Sequence, residues 1–200
     1  MGLAGECAYE IDIENGPQPA YLIANIPTYF GESETHEIQF EFQGSHLNQT
    51  EGGDFRIMAL YADDVPVPLL ALDLSWTRGP GRFKTMNLDT MLNPQLWSGS
   101  GAPSPTMGQW SPVEIVNPFD DWVYIRVKMV QSSGPGINDG IIELWVEGTL
   151  VDSWSGLYLD WPNNLTPAEV SYGVVDIFDQ RTSGKLWIIP HSPSPGAIEF

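Results

Sequence analysis

Three carboxylates near the start of the chain alternate with isoleucines in the segment Glu10-Ile-Asp12-Ile-Glu14. Residues two apart in an extended strand share one face at a spacing of about 6.7 Å, so these carboxylates would line one side of a strand. Such a set can supply the nucleophile and the general acid/base of glycoside hydrolysis, with pKa values tuned by mutual repulsion. An exposed edge strand explains the same letters, because charges protect sheet edges from aggregation. We therefore favour no catalytic residue and keep Glu10, Asp12 and Glu14 as the alternative.

Exposed aromatic side chains form a second candidate site, because their faces can stack on the apolar side of a sugar ring. A long segment over 93–112, rich in Gly, Ser and Pro, carries two tryptophans, and its length indicates a function or an interface. The predicted ligand-binding residues are Trp97, Trp110, Trp154, Tyr158, Trp161 and Asn163. By contrast, we expect Trp122, Trp145 and Trp187 to lie in the core.

Carboxylates that could bind calcium occur in predicted loops at Asp120, Asp121 and Asp139. They offer the hard oxygen donors that Ca²⁺ prefers, but no segment has the complete spacing of an EF-hand loop. The three histidines are far apart in sequence and form no zinc motif. Cys7 is the only cysteine, which excludes an intramolecular disulfide. No metal site is therefore favoured, calcium is the one cation that these residues could hold, and no other cofactor is expected.

The chain is strongly acidic, with 26 acidic and 8 basic residues and a net charge of −18 over 200 residues. Such a surface repels the phosphates of nucleic acids and of anionic membranes, so neither is an expected partner. The apolar runs are far shorter than the ~20 residues of a membrane-spanning helix, so no membrane insertion is expected. The start of the chain shows neither the basic head nor the apolar stretch of a secretory signal.

Strand patterns recur along the chain, and no segment shows helical periodicity over three turns. The clearest strand is 122–130, in which every second residue is apolar. Because successive side chains of a strand point to opposite faces, Tyr124, Arg126 and Lys128 share one face. Further along, the two-residue turn Glu147-Gly148 predicts a hairpin, since glycine tolerates a positive φ.

Ten or more short strands without intervening helices indicate one all-β domain, a two-sheet antiparallel jelly-roll sandwich. We expect this single β-sandwich domain to span residues 1–189. The remaining segment, 190–200, is rich in proline and ends in apolar residues. It is predicted to form a C-terminal arm that packs on something.

Two neighbouring segments carry a family resemblance: Asp121-Trp-Val-Tyr-Ile-Arg-Val-Lys-Met129 and Asn138-Asp-Gly-Ile-Ile-Glu-Leu-Trp-Val-Glu-Gly-Thr-Leu-Val151. They resemble the concanavalin A-like lectin/glucanase superfamily, in particular its laminin-G-like and polysaccharide-lyase-like members. The resemblance is good over roughly residues 119 to 154 and implies a concanavalin A-like jelly roll. That fold hosts lectins, hydrolases, lyases and viral surface proteins, so the resemblance is specific for fold and says little about function.

The Glu10-Ile-Asp12-Ile-Glu14 segment is also similar to the catalytic strand of the laminarinase and lichenase glycosidases. This resemblance implies Glu10 as the nucleophile, Asp12 as the helper and Glu14 as the acid/base. In those enzymes the motif lies in the middle of the chain, after the strands that build the floor of the cleft. Here it begins at the tenth residue, so a circular permutation would be required.

Our leading hypothesis is a non-enzymatic surface module of an assembly, of the virion, phage capsid-decoration or adhesin type. It would recognise carbohydrate, protein subunits of the assembly, or both, as a homo-oligomer or docked on a larger shell. Its expected location is a virion surface or an extracellular assembly. The alternative is a glycoside hydrolase or polysaccharide lyase that uses the carboxylates of the Glu10–Glu14 segment.

Overall fold

The computed structural model describes β-strands and the short connections between some of them. The residues that it describes are 8–13, 19–25, 35–47, 53–62, 68, 70–77, 85–92, 113–115, 121–134, 137–157, 159, 167–178, 184–192 and 197–199. The long segment 93–112 that the sequence singles out lies outside these residues. Among the described residues, no helix has the length and apolar character needed to cross a membrane.

Most of the described strands lie where the sequence alternates apolar and polar residues. They are β1 (Tyr9–Asp12), β2 (Ala20–Asn25), β3 (Thr35–Leu47), β4 (Gly53–Ala62), β5 (Leu70–Thr77), β6 (Thr85–Leu92), β7 (Val113–Ile115), β8 (Val123–Val130), β9 (Gly140–Val146), β10 (Thr149–Leu157), β11 (Pro167–Ile177), β12 (Gly184–Ser192) and β13 (Ala197–Glu199).

These strands form two antiparallel sheets. The six-stranded sheet has the order β1-β12-β3-β8-β9-β10, and the seven-stranded sheet has the order β13-β2-β11-β4-β5-β6-β7. Neighbours such as β12 and β3 are distant in sequence, so the chain crosses between the sheets, as in a jelly roll. No helix occurs in the part of the chain that the structure describes. The predicted all-β sandwich is therefore confirmed.

The core lies between the two sheets, and strands of the six-stranded sheet such as β3 bury every second side chain. In β8 and β9 buried residues alternate with partly buried ones along the whole strand. Phe40 of the six-stranded sheet contacts Tyr172 of the seven-stranded sheet, with ring centroids 5.6 Å apart. Burial raises the pKa of the Tyr172 phenol. Burying each large apolar side chain contributes about 1.5–3 kcal/mol to folding.

The predicted hairpin at Glu147-Gly148 is confirmed. Both turn residues have positive φ, 50° for Glu147 and 74° for Gly148. Two successive positive φ angles are the signature of the type I′ turn, whose twist matches that of the flanking strands. Val146 accordingly pairs with Thr149, and β10 folds back along β9.

The C-terminal segment, predicted as an arm, extends a strand of one sheet and adds a strand to the other. Strand β12 continues to Ser192 beside β3, and residues 197–199 form β13, which pairs with β2. The described part of this segment thus packs on the domain's own sheets.

Candidate functional site

The outer face of the six-stranded sheet carries long polar and aromatic side chains. Because the inner residues of β3 and β8 are buried, the residues between them point outward. The antiparallel register places Gln39 opposite Arg126 and Glu41 opposite Tyr124. On the next strand, Trp145 lies opposite Arg126. Separate segments of the chain thus meet in the middle of this face.

A bulge in β12 adds a histidine to this group. Pro190 pairs with Phe40 and Ser192 pairs with Gln39, so His191 is the extra residue between them. Proline has no N–H to donate to a sheet and is tolerated at bulges, which re-aim side chains. His191 consequently lies beside Tyr124, with ring centroids 5.9 Å apart.

Tyr124 is the phenol at the centre of the site. Its hydroxyl donates a hydrogen bond to Gln39 Oε1 at 2.8 Å. Burial raises the pKa of Tyr124 above the ordinary tyrosine value, although the nearby Arg126 charge acts in the opposite direction. The phenol therefore holds its proton at neutral pH and can donate it.

His191 is held by a carboxylate. Its Nε2 atom lies 3.1 Å from Glu41 Oε1, and the two side chains are only 12% and 14% exposed. A carboxylate beside an imidazole fixes the orientation and the tautomer of the ring. The pair thus has the make-up of an oriented general base.

Arg126 is the cation of the site. Its Nη2 donates to Glu37 Oε1, and its guanidinium lies 5.6 Å from the centre of the Trp145 ring. The hydrogen bond between Arg126 and Glu37 is the main cause that lowers the pKa of Glu37 and raises the pKa of Arg126. The Nε atom of Arg126 is buried and makes no hydrogen bond. Because Nε is buried, a substrate carboxylate would bind the Nη hydrogens that do not bond to Glu37.

The group combines a protonated phenol, a carboxylate-bound imidazole, a guanidinium and a carboxamide on one partly exposed sheet face. These are the groups needed to remove a proton next to a carboxylate, stabilise the charge that develops, and protonate a leaving oxygen. We call Tyr124, His191, Arg126, Gln39 and Glu41 the central cluster.

The carboxylates of the Glu10–Glu14 segment lie away from this cluster. Glu10 and Asp12 are exposed on β1, the edge strand of the six-stranded sheet. Both contact Lys185 Nζ, at 2.8 Å for Glu10 and 3.7 Å for Asp12. Glu14 lies outside the described residues. This arrangement agrees with the explanation that the charges protect an exposed sheet edge from aggregation.

Of the predicted ligand-binding residues, only Trp154 is described. It is partly buried and packs against the core. The predictions for Trp97, Trp110, Tyr158, Trp161 and Asn163 lie outside the described residues and stay predictions.

The expectation that Trp122, Trp145 and Trp187 lie in the core is wrong. All three are only partly buried, and none belongs to the core cluster. Strand alternation explains Trp187, because its neighbours Leu186 and Ile188 take the inward positions. Trp145 likewise points outward, over Arg126.

The candidate calcium ligands do not gather in the described part of the chain. Asp139 accepts a hydrogen bond from the Ser133 N–H at 2.8 Å, and hydrogen bonds from Ser133 lower its pKa. Asp121 is exposed, and Asp120 lies outside the described residues. The described residues hold no group of three or more side chains able to bind a metal ion. Calcium binding stays a prediction.

Sequence reasoning missed the central cluster, although one part of its signal was visible. The alternation of 122–130 places Tyr124 and Arg126 on one face from the sequence alone. The pairing of that strand with β3 joins Tyr124 to Gln39, 85 positions away, and the bulge turns His191 toward Glu41, 150 positions away. Nothing local in the sequence indicates those contacts.

No protein-family model and no curated protein matches the chain. Among solved structures, an endo-β-1,4-glucuronan lyase from the fungus Trichoderma reesei matches with a TM-score of 0.50 and 10% identity, over 92% of this chain and 78% of that one. A variant of alginate lyase Aly36B in complex with an alginate tetrasaccharide matches with a TM-score of 0.49 and 11% identity, over 92% and 78%. Alginate lyase vAL-1 from a Chlorella virus matches with a TM-score of 0.42 and 10% identity, over 92% and 89%.

The glucuronan lyase match, at this low identity, bears on the fold alone. It confirms the concanavalin A-like jelly roll that the sequence resemblance implies. The leading hypothesis of a non-enzymatic surface module is wrong: the fold shared with the glucuronan lyase fits the alternative, a glycan-cleaving enzyme, better. The predicted location on a virion surface or in an extracellular assembly stays a prediction.

Proposed function

We propose that this protein is a polysaccharide lyase, which cleaves a uronic-acid-containing glycan by β-elimination at the central cluster. The observation that carries the proposal is the meeting of Tyr124, His191 and Arg126 on one partly exposed sheet face. A phenol and an imidazole side by side form an acid/base pair, and the guanidinium is the cation that a substrate carboxylate requires. The fold shared with a glucuronan lyase is consistent with this activity.

The reaction begins at the ring carbon next to the uronate carboxylate. His191 removes the proton from C5, and the electron pair moves toward the carboxylate, where Arg126 stabilises the added negative charge. The C4–O bond then breaks as the C4=C5 double bond forms. Tyr124 gives its proton to the leaving glycosidic oxygen. Atoms balance without water, and one product ends in an unsaturated uronate.

Two further residues hold the reacting groups in place. Gln39 accepts the hydrogen bond of the Tyr124 hydroxyl at 2.8 Å, which holds the phenol oxygen in place until its proton turns to the glycosidic oxygen of a bound substrate. Glu41 contacts His191 and stabilises the imidazolium that forms when the ring takes the C5 proton. Both are positioning residues, since each acts through its neighbour.

The competing chemistry is glycoside hydrolysis by the Glu10–Glu14 segment. A retaining glycosidase needs one carboxylate as nucleophile and a second, protonated one as acid. Glu10 and Asp12 instead both contact the Lys185 ammonium on the exposed edge strand of the sheet, so neither is placed as the nucleophile of a cleft. The central cluster therefore carries the proposal, and hydrolysis remains the outcome to test against it.

The test is a product assay on glucuronan, alginate and gellan with the wild type, Tyr124→Phe and Glu10→Gln. We expect the wild type to release product with the ultraviolet absorbance of an unsaturated uronate on at least one of these glycans. Tyr124→Phe should lower kcat about 10²–10⁴-fold, the usual contribution of one general acid. Tyr61→Phe is the matched control, because Tyr61 lies on β4 of the other sheet.

Three results would overturn the proposal. The first is reducing ends released without ultraviolet absorbance and abolished by Glu10→Gln, which would identify a glycosidase. The second is unsaturated product formed equally well by Tyr124→Phe. The third is an absence of any cleavage of the three glycans by a wild-type protein whose circular dichroism shows that it is folded.

A further inference from the structure

The outer face of the six-stranded sheet carries more carboxylates than cations among its described residues. The carboxylates point outward from β1, β3 and β9, and the cations from β8 and β12. The carboxylates are Glu10, Asp12, Glu37, Glu41 and Glu143, and the cations are Arg126, Lys128 and Lys185. With a neutral His191, this face is negative, like the chain as a whole.

Each of these cations already contacts a carboxylate. Lys128 Nζ lies 3.3 Å from Glu143 Oε2, and Lys185 Nζ lies 2.8 Å from Glu10 Oε1. Arg126 is bound by Glu37. A glycan with a carboxylate on every sugar would therefore place several of its negative charges next to the carboxylates of this face. The protein and the glycan would then repel each other. Of these three cations, Arg126 shares its face of β8 with Tyr124, so it is the one that suits a single substrate carboxylate.

Aromatic rings flank the central cluster on both sides. Trp145 lies on β9, beside β8, and its Nε1 donates to Glu143 Oε2 at 3.3 Å. Trp187 lies on β12, on the other side of β3, in register with Gln43 and Glu10. An indole face next to a carboxylate suits an uncharged sugar, whose apolar side stacks while its hydroxyls donate hydrogen bonds.

On these grounds we infer that the substrate is a glycan in which neutral sugars separate the uronates, with one uronate at Tyr124 and Arg126 and neutral sugars over Trp145 and Trp187. The inference rests on the proposed function and narrows its substrate class. A site for a homopolymer of uronic acid would differ, because it would present an unpaired cation to each sugar along the bound glycan.

The experiment compares initial rates of unsaturated-product formation on gellan, in which neutral sugars separate the glucuronates, and on glucuronan, in which every sugar is a uronate. At low ionic strength we expect gellan to react at least about tenfold faster. Raising the salt concentration from about 10 mM to about 150 mM shortens the Debye length from about 30 Å to about 8 Å. Because this screens repulsion, the rate on glucuronan should rise while the rate on gellan stays nearly constant.

A charge variant tests the cause. Glu143→Gln removes a carboxylate beside Lys128 and Trp145, so the rate on glucuronan should rise about fivefold, as expected for removing one like-charge repulsion near a surface. Glu169→Gln makes the same change on β11 of the other sheet and should leave both rates unchanged.

The results separate this inference from the proposed function. Faster cleavage of glucuronan than of gellan, slowed by salt, would overturn the substrate class and leave the lyase proposal standing. Equal rates on gellan and glucuronan that change neither with salt nor with Glu143→Gln would also overturn the substrate class and leave the lyase proposal standing. Absence of unsaturated product from both glycans and from alginate would overturn both.

Discussion

The two sheets each carry an arginine–carboxylate pair on the outer face, and the pairs differ in their exposure. On the six-stranded sheet Arg126 and Glu37 have side chains that are 33% and 29% exposed. On the seven-stranded sheet Arg56 and Asp73 have side chains that are 10% and 6% exposed. The pKa of Glu37 is lowered, chiefly by its hydrogen bond to Arg126, whereas burial raises the pKa of Asp73 despite two hydrogen bonds from Arg56.

The surroundings explain this difference. Near Arg56, the outward-pointing Ala59, Ala71 and Ser171 are buried, so this part of the seven-stranded sheet is screened from solvent. The ring of Phe178 lies 5.1 Å from the Arg56 guanidinium. The free energy lost when the Asp73 carboxylate leaves water exceeds the free energy gained from its contact with Arg56. The pair is therefore enclosed in the fold and has a structural role. Only the partly exposed face leaves its groups accessible to a substrate.

The largest expected effect is on the buried pair. Arg56→Met leaves Asp73 buried without its partner, which should lower the free energy of unfolding by about 3–5 kcal/mol. Replacing both residues, as Arg56→Met with Asp73→Leu, should restore most of this loss, because apolar residues need no desolvation. Urea unfolding followed by tryptophan fluorescence measures both variants. A double variant as unstable as the single one would show that this pair does not behave as a desolvated ion pair.

The next effect falls on activity at the exposed pair. Arg126→Lys keeps the charge but loses the planar donor set that binds a carboxylate. We expect a fall in kcat of about 10²–10³-fold, as for the loss of one donor to developing negative charge. The free energy of unfolding should change by less than about 1 kcal/mol, since partly exposed pairs contribute little. A variant with normal kcat would remove Arg126 from the proposed mechanism.

The pH dependence of stability should have opposite signs at the two pairs. Because the pKa of Glu37 is lowered in the folded state, Glu37 stabilises the fold. This stabilisation is complete above about pH 4.3, the pKa of glutamate in the unfolded chain, and is lost as the pH falls through the folded pKa. Because the pKa of Asp73 is raised, the folded state gains relative stability as the pH falls from its folded pKa toward about 3.9. Urea unfolding of Glu37→Gln and Asp73→Asn between pH 7 and pH 3 measures this. As the pH falls, the free energy of unfolding of Glu37→Gln should rise relative to that of the wild type, and that of Asp73→Asn should fall. A change of the same sign in both variants would contradict the comparison.

The smallest effect is expected at Lys128. Its ammonium lies 3.3 Å from Glu143 on the partly exposed face. Lys128→Met should lower the free energy of unfolding by less than about 1 kcal/mol, because exposed ion pairs are screened by water. A loss near that of Arg56→Met would mean that both faces are equally desolvated in solution.

Local patterns were enough to predict most of the fold. The alternation in 122–130 predicts both the strand β8 and the outward position of Tyr124 and Arg126. The Glu147-Gly148 turn predicts the hairpin, because only a turn with positive φ matches the strand twist. The three tryptophans were misplaced because hydrophobicity alone suggests burial, whereas strand position decides which face Trp145 and Trp187 occupy.

The sequence by itself determined most of the strands, the sandwich class and which residues of a regular strand share a face, because these follow from a period of two within one segment. Only the tertiary structure decided which strands became neighbours. It brought Gln39 and Glu41 beside Tyr124 and Arg126, and the bulge at Pro190 and Ser192 brought His191 to them. It also left Glu10 and Asp12 on an edge strand. Pairings between distant segments depend on how the whole sandwich buries its core, so no local pattern contains them.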